Sequence, residues 1–116
     1  MNTPLWQLGA CELAARIGSR QATARQAAES VLGRIAEVNP RFNALASVTP
    51  ESALRAADAA DAAQARGEAL GPLHGVPVTI KINVDVAGEA TTDGVAAFQD
   101  NIAASDSPLV QSMREA

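Results

Sequence analysis

Lys81 is the residue whose type and position in this sequence offer the clearest chemistry. It follows a run rich in β-branched residues, Val76 to Ile80, and the breakers Gly75 and Pro77 mark the start of that run. A lysine in this place either extends its amine into water or is held inside a site. Burial among apolar groups lowers the pKa of a lysine amine and makes it an effective base near neutral pH. Taken alone, the run favours the solvated amine, because unpaired lysines are rarely buried.

Four other side chains could take part in chemistry, but each is better explained by structure. Asp58 and Asp61 lie in an Ala-rich segment, where they are expected on a solvated helix face. A lone histidine such as His74 more often packs or hydrogen-bonds than catalyses. Cys11 has no base nearby in the sequence, so it is expected to be a small packing residue. The sequence predicts no carboxylate, histidine or thiol catalyst and no metal site.

Length and composition restrict the class of protein. The 116 residues allow one small domain, with 47% apolar but only 3% aromatic residues. The net charge is -4 and the nine basic residues are scattered, which argues against nucleic-acid binding. No apolar run approaches the roughly 20 residues of a membrane span, and no secretory signal is apparent. The single cysteine makes a cytoplasmic setting the default, and without a phosphate-binding glycine motif no nucleotide cofactor is expected.

The first half of the chain is dominated by helix signals. Residues from Met1 to Gly18 predict a short helix after a loose start. A second helix is expected to begin after Thr23, which forms a capping box with Gln26, and to end at Asn39-Pro40.

A third helix is expected after the N-cap Thr49, from Pro50 to about Arg66. Gly67 fits the left-handed position that often follows a helix. Near the end, Ser107-Pro108 repeats the pattern of an N-cap before proline and predicts a last helix.

Between the helices the sequence predicts extended segments. Phe42 to Val48 looks like a short strand or an extended crossing, Val76 to Ile80 like a strand, and Val84 with Val86 like a second short extended piece. This order of elements is typical of the beginning of an α/β unit. The chain is therefore expected to be an N-terminal portion of something larger, and a frayed terminal helix is the alternative.

The stretch from Gly71 to Gly94 resembles the N-terminal part of the amidase-signature hydrolases. The matching residues are Gly71-Pro72-Leu73-His74-Gly75-Val76-Pro77, Lys81, Val84-Asp85-Val86-Ala87-Gly88 and Thr91-Thr92. The flanking segments, Asn39 to Ala44 and Asp106 to Ala116, are similar to that family as well. The resemblance therefore covers nearly the whole chain.

This resemblance implies an α/β fold in which helices pack on a mixed β-sheet, with residues 1–116 as the incomplete N-terminal fragment of a single domain. It also implies an amidase that hydrolyses carboxamide C–N bonds by acyl transfer, using a nucleophilic Ser, a bridging Ser in a cis peptide bond and a Lys. By position Lys81 is that Lys, and it would act as the base through the bridging Ser. The motif thus reverses the expectation for Lys81, from a solvated amine to a buried base.

Two departures from the family pattern limit what the resemblance implies. Ile82 follows the lysine where the family often has Asp, so no carboxylate is implied there. The Gly- and Ser-rich segment that carries both serines is absent, and Ser105, Ser107 and Ser112 do not lie in such a segment. The 116-residue chain by itself is therefore expected to have no activity, and the enzyme assignment applies to the full-length parent.

Other functions remain open at this point. A glutamyl-tRNA amidotransferase component of the A type is the alternative within the enzyme class. An inactive truncated amidase or a helical interaction module is the alternative outside it. The resemblance implies a small-molecule amide as the substrate, no cofactor, no direct nucleic-acid or membrane partner, and leaves open a homo-oligomer of the full-length enzyme. Neither the amide nor the oligomeric state can be read from these residues.

Overall fold

A computed structural model describes residues 3–116, so the first two residues of the predicted loose start lie outside the described residues. They fall into two compact units, one ending at Pro77 and one running from Val78 to Ala116. The first unit contains helices α1 (Ala10–Gly18), α2 (Ala24–Phe42) and α3 (Pro50–Ala65), preceded by a 3₁₀ turn at Leu5–Gln7. The second contains a 3₁₀ turn at Ala96–Phe98 and helix α4 (Pro108–Glu115).

The start of α2 confirms the predicted capping box. The Thr23 hydroxyl accepts a hydrogen bond from the Gln26 backbone N–H, and the Gln26 side chain accepts one from the Thr23 N–H, each at 3.0 Å. These two bonds satisfy backbone donors that have no partner inside the helix.

The predicted end of α2 at Asn39-Pro40 is wrong, because the helix continues to Phe42. Pro40 removes one backbone hydrogen bond from the helix, but Pro40 and Ala36 are exposed, so water can satisfy the released carbonyl. The helix ends instead at Asn43, which adopts the left-handed conformation with φ 49°. The Asn43 N–H donates to the Asn39 carbonyl at 2.7 Å.

Helix α3 begins at Pro50 as predicted and ends at Ala65, one residue before the expected Arg66. Thr49 makes no side-chain capping bond, so proline at the first helical position is the effective start signal. Gly67 has φ +75°, which confirms the left-handed position predicted after the helix.

The two aspartates of α3 have different roles. Asp58 is exposed and pairs with Arg25, as expected for a solvated face. Asp61 is half-buried, and its carboxylate accepts hydrogen bonds from the backbone N–H groups of Ala24 at 2.7 Å and Arg25 at 3.0 Å. Asp61 therefore satisfies the first free donors of α2 from a neighbouring helix and does not simply face solvent, which corrects its predicted place.

The core of the first unit is built mainly from small residues. Two clusters are buried, one formed by Leu13, Ile17 and Ala27 and the other by Ala24, Ala28 and Ala57. Alanine lets helix backbones approach closely, which explains why an Ala-rich sequence can form a packed core. Cys11 is not part of it: this residue of α1 is exposed, so the prediction of a packing role is wrong. Helix α1 buries the face that carries Leu13 and Ile17, and Cys11 lies outside that face.

The loop after α3 packs against these helices. The backbone of Gly75 comes so close that an added Cβ would lie 2.9 Å from the Ala24 Cβ, and its φ of +78° also favours glycine. Nε2 of His74 lies 2.9 Å from the Ala60 carbonyl oxygen. The hydrogen-bonding role predicted for His74 is therefore confirmed.

No strand forms at the three segments predicted to be extended, so the predicted strand at Val76 to Ile80 is wrong and, for Phe42 to Val48, only the alternative of a crossing remains. The segments 42–48, 76–80 and 84–86 have no strand, and the described residues contain one isolated antiparallel bridge between Ala90 and Ile102. A β-branched run becomes a strand only when a neighbouring segment supplies backbone partners, and here no segment pairs with 76–80. The described chain is thus helical, and the mixed sheet is not formed within it. Among residues 3–116 no helix combines the length and apolarity needed to cross a bilayer.

Candidate functional site

Lys81 occupies the first position of a reverse turn in the second unit. Its carbonyl oxygen accepts a hydrogen bond from the Val84 N–H at 2.9 Å, so Ile82 and Asn83 form the centre of the turn. Lys81 itself is exposed, and its neighbours Ile80 and Ile82 are only half-buried. The burial expected for this lysine is therefore not found within the described residues, because no paired strand brings a second layer over it.

Lys81 is also the single lysine among nine basic residues. Six of the eight arginines form ion pairs with carboxylates, for example Arg16 with Glu12 at 2.7 Å. In contrast, no hydrogen bond, ion pair or aromatic contact engages the Lys81 amine within residues 3–116. Arginine stays protonated in proteins, whereas a lysine can give up its proton and act as a base. Within the described residues, the contrast between the paired arginines and the one unpaired lysine distinguishes Lys81 from the other basic residues, which the sequence motif alone did not show.

The residue after the turn, Asp85, connects the turn to two other segments. Its carboxylate accepts a hydrogen bond from the Thr91 hydroxyl. Its backbone carbonyl accepts one from the Ser107 N–H at 3.0 Å. The turn has a further contact at Ile82, whose carbonyl accepts a long hydrogen bond of 3.4 Å from the Asp93 N–H. Asp85 and Thr91 both belong to the matched motif, and the structure brings their side chains together.

A short antiparallel ribbon follows this turn in the chain. Gly88 donates to the Ala103 carbonyl at 2.9 Å, and Ala103 donates back to the Glu89 carbonyl at 3.0 Å. One step further the Thr91 N–H donates to the Asn101 carbonyl at 2.9 Å. Gly88, predicted to mark a turn, has φ +81°, a conformation that glycine adopts without strain.

Asp106 fixes the other side of the motif to helix α4. Its carboxylate accepts a hydrogen bond from the Ala87 N–H at 2.8 Å and another from Nε of Arg114 at 2.7 Å. The Ala87 N–H, followed by the charge-assisted bond from Arg114, holds the pKa of the Asp106 carboxyl below its usual value of 3.8. The ionised carboxylate therefore links residue 87 to the last turn of α4.

The serines of this region have structural or surface positions. The Ser107 hydroxyl accepts a hydrogen bond from the Val110 N–H at 3.3 Å, which confirms the predicted N-cap of α4. Ser105, before the helix, and Ser112, within it, are exposed. The hydroxyl of Ser107 is occupied by the helix cap and does not belong to a glycine-rich segment.

One groove on the surface of the first unit has no side chain that could catalyse a reaction. In the first unit a surface groove of about 460 Å³ is lined chiefly by apolar side chains of α2, among them Leu32 and Ile35, together with Val48. It contains no histidine, cysteine or charged residue. Among residues 3–116 no three His, Cys, Asp or Glu side chains converge on a common metal position.

Residues 26–116 match the family model described as Amidase. Among characterised proteins the chain is similar to an indoleacetamide hydrolase from Bradyrhizobium diazoefficiens, with 46% identity over 113 residues that cover 97% of this chain and 22% of the relative. It is also similar to the A-type subunit of the glutamyl-tRNA(Gln) amidotransferase from Acidothermus cellulolyticus, with 41% identity over 92% of this chain and 21% of that protein.

A solved structure supports the same relationship. The crystal structure of a bacterial aryl acylamidase, a member of the amidase signature enzymes, superimposes with a TM-score of 0.87 and 27% identity. The superposition covers 98% of this chain and 24% of the acylamidase. The chain thus spans between a fifth and a quarter of the length of the proteins it matches.

Proposed function

We propose, since this chain belongs to the amidase family, that the protein containing it is an amidase that hydrolyses carboxamide C–N bonds. The family match over residues 26–116, which includes the whole motif around Lys81, is the observation that carries this proposal. The chain covers only 22% of the indoleacetamide hydrolase, so the proposed activity is that of the longer protein. By itself, this chain supplies one member of the catalytic set.

In this proposal Lys81 is the general base of a Ser–cis-Ser–Lys triad. The neutral amine takes the proton of the nucleophilic Ser through the bridging Ser while the Ser oxygen attacks the amide carbonyl. The same proton is then passed to the leaving nitrogen as the C–N bond breaks, which leaves the amine neutral again. Water then hydrolyses the acyl-enzyme by the same route in reverse. The single lysine, unpaired within residues 3–116, supports this role because a base must be able to lose its proton.

The finer details of the fold belong to the same proposal. We expect residues 76–80 to become a strand of a mixed β-sheet once backbone partners from other parts of the longer protein are present, and residues 1–116 to be part of one amidase domain. Such a layer would also cover Lys81, which is exposed within the described residues. The loop that leads into this segment is already anchored by Gly75 and His74.

The substrate is proposed to be a small carboxamide, with no cofactor. The relative with 46% identity is named for indoleacetamide, which makes indoleacetamide the first probe to use. An amidotransferase component of the A type is the second candidate, supported by 41% identity to such a protein. The greater identity to the hydrolase favours hydrolysis. A cytoplasmic location and a homo-oligomer of the longer protein remain predictions.

The decisive experiment replaces Lys81 in the intact protein and measures release of ammonia from indoleacetamide. Lys81→Met removes the base at nearly constant size, and Lys81→Arg keeps the positive charge but cannot accept a proton. Both variants should lose about 10²–10⁴-fold in kcat, the usual contribution of a general base.

Arg55→Met is the matched control, because Arg55 is an exposed cation of α3 with only a 3.9 Å ion pair. It should keep the wild-type kcat. Turnover at the wild-type rate in Lys81→Met would refute the proposed role. Amide transfer to glutamyl-tRNA in place of ammonia release would select the amidotransferase.

A further inference from the structure

We propose that Thr91 and Asp85 are positioning residues for Lys81: the hydrogen bond from the Thr91 hydroxyl to the Asp85 carboxylate holds the turn that presents the lysine. This inference rests on the proposed function of Lys81 as a base. Neither Thr91 nor Asp85 is proposed to touch the substrate or the reacting atoms. Their effect on catalysis is indirect, through the backbone from Lys81 to Val84.

The turn needs support at its end because its own internal restraint is small. Within the turn one backbone hydrogen bond joins Lys81 to Val84. The bond from Asp93 to the Ile82 carbonyl, at 3.4 Å, is long and weak. Lys81 is exposed, so no packing of its own side chain fixes the backbone within the described residues.

Asp85 is the first residue beyond the turn, and three segments meet there. Its side chain binds Thr91 in the ribbon, and its backbone carbonyl binds the N–H of Ser107, the N-cap of α4. Rotation of the Asp85 backbone would move the turn and break the bond to Ser107 as well. The Thr91 hydroxyl restrains that rotation by holding the carboxylate.

The strength of this contact comes from the charge of its acceptor. A hydroxyl that donates to a carboxylate forms a charge-assisted bond, roughly twice as strong as a bond between neutral groups. Thr91 is itself well anchored, because its N–H and its carbonyl both bind Asn101. Thr91 is therefore held in the ribbon, and its hydroxyl restrains Asp85 and, through it, the segment that carries Lys81.

Positioning of this kind matters for a base on a long side chain. Proton transfer requires the amine to lie within hydrogen-bond reach of its partner. A displacement of about 1 Å in such a group can reduce the rate by about 10²-fold. A hydrogen bond that only stabilised the fold would affect the melting temperature but leave kcat of the folded enzyme unchanged.

The test compares Thr91→Val with Thr91→Ser in the intact protein, using indoleacetamide as the probe. Valine has the shape of threonine but lacks the hydroxyl, whereas serine keeps the donor. Thr91→Val should lower kcat by about 10- to 100-fold with KM unchanged. Thr91→Ser should keep kcat within about 3-fold of the wild type, because the donor is retained.

Two further measurements complete the design. Thr49→Val is the matched control, because Thr49 is exposed and makes no side-chain capping bond, and it should leave kcat unchanged. The double variant Thr91→Val with Asp85→Ala should have no lower kcat than the worse single variant, since both remove the same bond. If Thr91→Val does not fold, Asp85→Asn replaces it: the amide oxygen still accepts the hydroxyl proton without the charge, so a smaller decrease in kcat is expected.

The outcomes separate this inference from the proposed function. Wild-type kcat in folded Thr91→Val or, if that variant does not fold, in Asp85→Asn, together with an inactive Lys81→Met, overturns the positioning role and leaves Lys81 as the base. An equal loss of kcat in Thr91→Val and Thr91→Ser also overturns it, because the hydroxyl is then not the group that matters. Wild-type kcat in Lys81→Met would instead refute the proposed role of Lys81 as the base, on which this inference rests.

Discussion

Different interactions stabilise the interior of each of the two units. Among residues 3–116, seven of the eight buried apolar residues lie in the first unit, and only Val110 is buried in the second, at 3% exposure. Conversely, five of the eight large apolar residues that are exposed in this range lie in the second unit, among them Phe98 at 51% and Leu109 at 56%. The second unit relies instead on hydrogen bonds to the carboxylates of Asp85 and Asp106.

The first unit is therefore stabilised mainly by apolar packing, and the second mainly by hydrogen bonds that fix the positions of individual groups. Apolar packing is strong but not directional, so it suits the first unit, whose helices need only to be held together. Hydrogen bonds have defined geometry, which suits a segment that would have to hold one side chain in one direction, as the proposed role of Lys81 requires. Lys81 lies in the second kind of segment.

The largest effect is expected from truncating the core of the first unit. Ile17 of α1 is fully buried and packs with Leu13 and Ala27, so Ile17→Ala should lower the free energy of unfolding by about 3–4 kcal/mol through lost burial and the cavity left behind. Leu109→Ala, at an exposed position of α4, should change it by no more than about 0.5 kcal/mol. Urea unfolding of both variants measures the contrast. Equal losses would mean that both units depend on packing to the same degree.

A smaller effect is expected from a methyl group added to one glycine in each unit. Gly75 and Gly88 have nearly the same φ, +78° and +81°, but only at Gly75 would the new Cβ meet another atom, at 2.9 Å from Ala24. Gly88→Ala should cost about 1–2 kcal/mol from the left-handed backbone alone. Gly75→Ala should cost about 1 kcal/mol more because the core is overpacked.

Thermal unfolding of the two alanine variants gives the comparison directly. Since the backbone cost is shared, the difference between them isolates the steric contact in the first unit. A Gly88→Ala variant as unstable as Gly75→Ala would show that the second unit is packed as tightly as the first.

The smallest effect is expected from the pH dependence of Asp106. Because the folded state lowers the pKa of this carboxyl, its contribution to stability is fully present above the unfolded value near 3.8. It is lost as the pH falls below 3.8 through the lower folded pKa. The Asp106 carboxyl should therefore titrate below 3.8 in an NMR experiment on the folded protein.

The variant Arg114→Gln serves as the control for this titration. It removes the ion pair but keeps the Ala87 N–H, so the pKa of Asp106 should rise only part of the way toward 3.8. A pKa of Asp106 at or above 3.8 in the wild type would contradict a fixed carboxylate that accepts hydrogen bonds from Ala87 and Arg114.

Local signals in the sequence predicted the helices well. The capping box at Thr23, proline at Pro50 and the cap at Ser107 gave correct starts because each acts within three or four residues. The end of α2 was predicted wrongly at Asn39-Pro40. The residue before a proline disfavours helix, but here the helix continues because water can satisfy the carbonyl that Pro40 releases. The left-handed residue Asn43 then ends it.

The candidate site was predicted in its residues but not in its arrangement. Lys81 and the motif around Asp85 and Thr91 could be recognised from the spacing of residue types. That spacing did not reveal which side chains meet, because the bond between Asp85 and Thr91 depends on how the ribbon folds back. The role of Asp61 as a cap for α2 was missed for the same reason, since its partners are 36 and 37 residues away.

The sequence by itself determined the family of this chain, the starts of its helices and the position of its one lysine within the family motif. These depend on residue identity and on contacts within a turn or two of backbone. Only the tertiary structure decided that the β-branched run before Lys81 forms no strand within residues 3–116 and that the lysine is exposed there. The physical reason is that strands and buried charges depend on partners distant in sequence, whereas a helix finds its backbone partners four residues away.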